Sequence, residues 1–156
     1  MMSEKNKVIK VGVGAVVLRD DKILLIKRRN FPDPELWSIP GGYVKFGETI
    51  FEAVKRELYE ETGLVGEPIG IIDIHEYFIR DSKNDVDEHY IIFDVLISVK
   101  EDLGMARASS DAREVLVLPL REAINLDLTE PVRKLVNKLL IRDYSYVDSE
   151  ITVRTA

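Results

Sequence analysis

Apolar positions along the chain gather into short runs separated by charged turns. Val8 to Leu18 is rich in Val and Gly, and Ile23-Leu24-Leu25-Ile26 follows across Arg19-Asp20-Asp21-Lys22, so the two segments read as a β-hairpin. Two prolines and two acids in Asn30 to Glu35 predict a loop. From Ile69 through Ile79, and again from His89 to Val99, β-branched residues predict a second strand pair around the polar stretch Asp81 to Glu88. A polar loop from Glu101 to Arg113 then leads to a last short strand, Glu114 to Leu118.

Helical spacing is confined to two places. Thr49 and Glu52 stand as a capping-box pair and Gly63 sits where a left-handed cap is wanted, which predicts a helix from Thr49 to Thr62. Ile50, Ala53, Val54 and Leu58 form its apolar arc, which should face the core. Near the C-terminus, Thr129 can cap a helix with Pro131 in its first turn and Val132, Leu135, Val136, Leu139 and Leu140 on one face. The tail from Asp143 to Ala156 has little pattern and either frays or adds an edge strand.

Composition narrows the class. The 156 residues are 46% hydrophobic and 32% charged, which fits one globular domain over 1–156 and excludes disordered and low-complexity classes. A formal charge of −6 provides no basic field for a stable nucleic-acid complex. With 0 Cys there is no disulfide framework, zinc ribbon or thiol nucleophile, and a cytoplasmic location is expected. The apolar run Val11 to Leu18 passes directly into Arg19-Asp20-Asp21, so neither a signal peptide nor a membrane span is expected there.

The first helix breaks its own pattern. Glu57 and Glu61, at i and i+4, project within or beside the apolar arc, with Glu60 just past its edge. Burying carboxylates without partners costs several kcal/mol, so positive charge must compensate. Arg56 can pair one of them. The others would be satisfied by a divalent cation that prefers hard oxygen ligands, Mg²⁺ or Mn²⁺. With only His75 and His89 available, a zinc site of usual composition is not expected. The plain alternative is a solvated acidic helix face.

The same residues carry a family resemblance. Gly42, Glu48, Arg56-Glu57-Leu58, Glu60-Glu61 and Gly63-Leu64 resemble the Nudix box at every specified position, and Trp37-Ser38-Ile39-Pro40-Gly41-Gly42 resembles the segment that leads into it. The resemblance implies an α/β fold, the Nudix-type α/β/α sandwich with a central mixed β-sheet and flanking helices. It also implies a hydrolase that directs water onto a pyrophosphate phosphorus with divalent metal. Carried over to this chain, it places Gly41 (through its carbonyl), Glu48, Glu57, Glu60 and Glu61 around the metal. Arg56 would orient a box carboxylate, and Glu57, Glu60 and Arg56 would belong to the catalytic set. The general base would be Glu57 or a carboxylate from a later loop, for which Glu114, Asp111 and Glu101 are the candidates.

Outside the box, Arg28 and Arg29 end the second predicted strand, where similar proteins place a cation on the substrate; Arg29 matches best. The plain alternative is a solvated strand end. Trp37, Tyr77, Phe78 and Tyr90 either stack on a base or pack in the core. His75 and His89 read as structural. Gly12 and Gly14 lack the context of a dinucleotide fingerprint and read as close-packing strand glycines. At Ile79, Arg80 and Asp81 stands neither the Pro found in many ADP-ribose enzymes nor the Tyr found in many dinucleoside polyphosphate enzymes. The leading expectation is a pyrophosphohydrolase of a nucleoside diphosphate derivative, ADP-ribose or a nucleotide sugar. A (d)NTP pyrophosphohydrolase and a non-catalytic nucleotide-sensing module are the alternatives. A small-molecule nucleotide is the expected partner, without membrane association, and similar proteins are commonly homodimers.

Overall fold

The computed structural model describes residues 7–29, 34–147 and 149–155. Strands β1 (Ile9–Val16), β2 (Leu18–Arg19), β3 (Lys22–Arg28), β4 (Trp37–Ser38) and β5 (Gly41–Tyr43) precede helix α1 (Ile50–Thr62). Strands β6 (Gly66–Arg80), β7 (Val86–Val99) and β8 (Ala112–Pro119) follow, then helices α2 (Leu120–Ala123) and α3 (Glu130–Leu140). One sheet has the order β5-β1-β7-β6. It is mixed, because β1 runs parallel to β7 and antiparallel to β5. The other centres on β3, which pairs antiparallel with β2, β4 and β8.

The predicted first hairpin needs correction. Val13, Ala15, Val16 and Val17 are all buried, the signature of a strand covered on both faces rather than one side of an amphipathic ribbon. That continuous burial commits β1 to the mixed sheet, and the chain changes sheets at Val17. Only Leu18 and Arg19 then pair back, onto Ile23 and Lys22. The Asn30–Glu35 loop lies mostly outside the described residues.

Alternation along β1 feeds two core clusters. Val13, Ala15 and Val17 pack with Ala53, Val54 and Leu58 of α1. Val16 packs with Ile23, Leu25 and the Val132, Leu135, Val136 and Leu139 face of α3. The helices therefore flank the sheets on opposite sides, the layered α/β/α arrangement expected.

The β6/β7 pair and β8 form where the β-branched runs stand, and the pair extends further than expected, ending in register Arg80 to Val86. Thr129 occupies the N-cap of α3 without a side-chain cap bond. Its N–H instead donates to the Trp37 carbonyl at 3.0 Å, tying α3 to β4. The short α2 and a 3₁₀ turn at Leu103–Met105 were not foreseen. In the tail, Val147 bridges Ile71 of β6, and a Cβ on Gly70 would stand 2.7 Å from the Tyr146 ring. Asp148 and Ala156 lie outside the described residues.

Candidate active site

Local chemistry fixes the register of α1. The Glu52 N–H donates to Thr49 Oγ1 at 3.1 Å, the Thr49 N–H donates to the Glu52 carboxylate at 3.3 Å, and Gly63 closes the other end at φ 74°. With Ala53, Val54 and Leu58 fully buried, the helix has no rotational freedom. Glu57 and Glu61 are thereby turned toward the β5 backbone. Gly42 is required there, because a Cβ at that position would collide with the Glu57 carboxylate.

Two guanidiniums organise the acids. Arg56 binds Glu48 in two-point fashion, Nε to Oε2 at 2.6 Å and Nη2 to Oε1 at 2.9 Å. Its Nη1 donates to Glu57 at 2.7 Å and Glu60 at 3.1 Å, and Nη2 donates to the Tyr43 carbonyl at 3.0 Å. Arg28 reaches across from β3. Its Nη1 donates to Glu61 Oε1 and the Gly41 carbonyl, both at 3.0 Å, and lies 3.5 Å from Asp111 Oδ2. Its Nη2 donates to the Ile39 carbonyl at 3.2 Å.

The electrostatics are unbalanced. The Arg56 hydrogen bonds hold Glu48 down at about 2, so it stays ionised, and Glu48 in turn raises the Arg56 pKa. Glu61 behaves oppositely. Burial, opposed by Arg28 and reinforced by the charge of Glu57, pushes it up to about 7. Glu48, Glu57, Glu60, Glu61 and Asp111 are five carboxylates held by two guanidiniums. Glu57, Glu60, Glu61 and the Gly41 carbonyl offer only oxygen, the ligand type that a hard divalent cation prefers, and they are short of positive charge.

Arg28, Gly41, Glu57, Glu60, Glu61 and Asp111 line a 380 Å³ cavity. Its floor is one face of the mixed sheet, where Gly12 and Gly14 contribute no side chain. A Cβ on Gly14 would stand 2.5 Å from both Asp94 Oδ1 and Ile39 Cδ1. Tyr43, Tyr77 and Tyr90 line the same cavity, with Tyr90 stacked between the other two at centroid distances of 6.3 and 6.0 Å. The first turn of α3, with Thr129, Pro131 and Val132, also lines the cavity.

The remaining expected site residues are distributed as follows. Arg28, not Arg29, lines the cavity. Arg29 donates through Nε to the Ser110 carbonyl at 3.1 Å and through its backbone N–H to the Asp111 carbonyl at 2.7 Å, which anchors the loop carrying Asp111. Trp37 packs on the α3 core cluster with Lys27 Nζ 5.1 Å from its ring centre, and the cavity lining does not include it. Glu114 is exposed on β8 opposite Lys27, again outside the lining, whereas Asp111 is part of it. Glu101 is exposed, and its carbonyl accepts from Arg19 at 2.6 Å. His89 stacks on Phe78 at 4.3 Å. His75, read as structural, lies against Asp73 and Asp94; alternation on a strand signals only its nearness to Asp73, and the pairing of β6 with β7 adds Asp94.

Comparison with known proteins agrees with this geometry. The family model of the NUDIX domain matches residues 8–139. The chain is 38% identical over 104 residues to an ADP-ribose pyrophosphatase of Methanocaldococcus jannaschii, an alignment covering 67% of this chain and 58% of that protein. It is 35% identical over 71 residues to the phosphatase NudJ of Escherichia coli K12, covering 46% of each. The chain thus spans about half the length of these curated relatives. Among solved structures, a MutT NUDIX hydrolase from Burkholderia pseudomallei superposes with a TM-score of 0.73 at 26% identity, over 85% of this chain and 99% of that one. No described helix is long and apolar enough to cross a membrane.

Proposed function

We propose, from the premise that this chain belongs to the NUDIX domain family, that it is a metal-dependent pyrophosphohydrolase of nucleoside diphosphate derivatives of the ADP-ribose or nucleotide-sugar type. Mg²⁺ is the expected resident ion and Mn²⁺ its substitute. The observation that carries this reading is the cavity itself, whose lining joins acids short of positive charge to a tyrosine stack. A diphosphate needs the first, and a nucleoside suits the second. The likeness to an ADP-ribose pyrophosphatase supports the substrate class.

Glu57, Glu60, Glu61 and the Gly41 carbonyl would hold the cation, with Glu48 behind them. When bound there, it offsets the charge of the phosphate oxygens and polarises the phosphorus. Arg56 keeps Glu57 and Glu60 on the cavity side while Glu48 holds Arg56 in place. Arg28 binds Glu61 and the Gly41 carbonyl together, so the two oxygens keep a fixed separation. Asp111, on the loop anchored by Arg29 and 3.5 Å from Arg28, would take the proton of the attacking water, because it lines the cavity whereas Glu114 and Glu101 do not.

Three outcomes test this reading. ADP-ribose or GDP-mannose with Mg²⁺ should yield the nucleoside monophosphate and a sugar phosphate; inorganic pyrophosphate released from (d)NTPs at a higher kcat/KM would favour the nucleotide-pool reading instead. Asp111→Asn should lower kcat by about a hundredfold or more, while Glu114→Gln changes kcat less than about twofold. Equal losses in the two variants would remove Asp111 from the role. Mg²⁺ at about a hundred times its Kd should stabilise the fold by about 2.7 kcal/mol, read as a rise in Tm. Protein stripped with EDTA that shows no thermal response to Mg²⁺ or Mn²⁺ would count against the site.

A further inference from the structure

Asp94, which lines the cavity, belongs to a second group of potential ligands. Asp73 and His75 alternate on β6 and share a face, and Asp94 is the register partner of Asp73 on β7. His75 Nδ1 is 2.9 Å from Asp73 Oδ2 and 3.7 Å from Asp94 Oδ2, and the three ligand atoms lie within 4.8 Å of one another. The Asp73 and Asp94 side chains are only 7% and 5% exposed, deep enough that an unneutralised charge is costly.

The cluster is incompletely satisfied. Asp73 Oδ2 and His75 Nδ1 are buried without a hydrogen-bond partner, although they are 2.9 Å apart. A gap of 2.9 Å suits an ion pair with an imidazolium and equally suits two neighbouring ligands of one ion. Lys138 Nζ lies 2.7 Å from the other oxygen, Asp73 Oδ1, and leaves Oδ2 facing the imidazole and Asp94. Donor spacings of about 3–4 Å are those of adjacent ligands on one ion with bonds of about 2.0–2.2 Å.

We propose that Asp73 Oδ2, His75 Nδ1 and the Asp94 carboxylate form a divalent-cation site separate from the glutamates of α1. One imidazole nitrogen with two carboxylate oxygens selects a borderline transition ion, Zn²⁺ or Mn²⁺, over Mg²⁺ and Ca²⁺. Asp94 lines the cavity, so the remaining coordination positions face it. An ion there would tie β6 to β7 and offset the charge of the two buried carboxylates. The site does not depend on the hydrolase reading.

The test uses the full chain with Glu57→Gln and Glu61→Gln together, which disables the first site, in millimolar Mg²⁺. Calorimetric titration should find one equivalent of Zn²⁺, and of Mn²⁺, bound at least about tenfold more tightly than Mg²⁺. Adding Asp94→Asn, or separately His75→Gln, should weaken that binding by at least about tenfold, the scale on which even supporting groups act. In NMR spectra the His75 ring signals should shift with Zn²⁺ and broaden with Mn²⁺, while those of His89 hold still. Melting curves of the metal-free variants verify that each is folded. Absence of saturable binding would overturn the proposal, as would binding that neither variant weakens. So would a His75 ring that titrates as an imidazolium and ignores both metals.

Discussion

Glu57→Gln is expected to cut hydrolysis by about a hundred- to a thousandfold while leaving the fold intact. Glutamine keeps the shape that rests on Gly42 and can still accept the Arg56 hydrogen bond now made at 2.7 Å. What it removes is one formal negative charge from the part of the cavity where the cation must bind. The loss should therefore appear in kcat and in the Mg²⁺ concentration needed for half-activation, with Tm in EDTA almost unchanged. Wild-type turnover by Glu57→Gln across ADP-ribose, nucleotide sugars and (d)NTPs would refute the catalytic assignment.

Glu61→Gln should do two opposite things. Activity falls, because a second ligand is lost, yet the cation-free protein becomes more stable at pH 8. Burial first, then the charge of Glu57, lifts Glu61 from 4.5 to about 7 despite Arg28. Between those values the folded state holds a proton that the unfolded chain has released, so stability falls as pH rises through this window. The cost is full above about 7, is absent below 4.5 and is on the order of 3 kcal/mol. Glutamine does not titrate and keeps an oxygen for Arg28, while its amide nitrogen replaces the oxygen that accepts from the Gly41 N–H, a lost hydrogen bond smaller than the charge cost removed. In EDTA, the variant should melt several degrees above wild type at pH 8, and the gap should close toward pH 4.5. Saturating Mg²⁺ should reverse the order, raising wild type alone. A variant that melts below wild type at both pH values would show that the Glu61 charge is well compensated without metal.

The contrast between these two glutamates explains what could be read before any coordinates. The helix that carries them was legible because its signals are local: a capping box, a left-handed glycine and an apolar arc lie within a few turns, and the misplaced acids stand out against that arc. Arg28 and Arg29 are a different case. They are consecutive, the pairing of β3 with β8 shifts between Lys27 and Arg28, and that irregularity decides which guanidinium faces the cavity. Glu114 looked as suitable as Asp111 until β8 set it opposite Lys27, on an exposed position. Likewise Trp37 went to the core because β4 docks on the start of α3. The Asp73, His75 and Asp94 group depends on pairing between two strands with a register shift between Ile71 and Asp73, which no single-strand pattern contains.

The C-terminal segment that crosses β6 has a consequence for colloidal behaviour. β6 is the outermost strand of its sheet, and a long unpaired rim of N–H and C=O groups is a template for adding foreign strands. By placing Tyr146 over Gly70 and bridging Val147 to Ile71, the tail caps part of that rim and interrupts its flatness. Fibril-like self-addition is thereby hindered by the protein's own chain around Gly70 and Ile71, at the cost of one glycine kept bare.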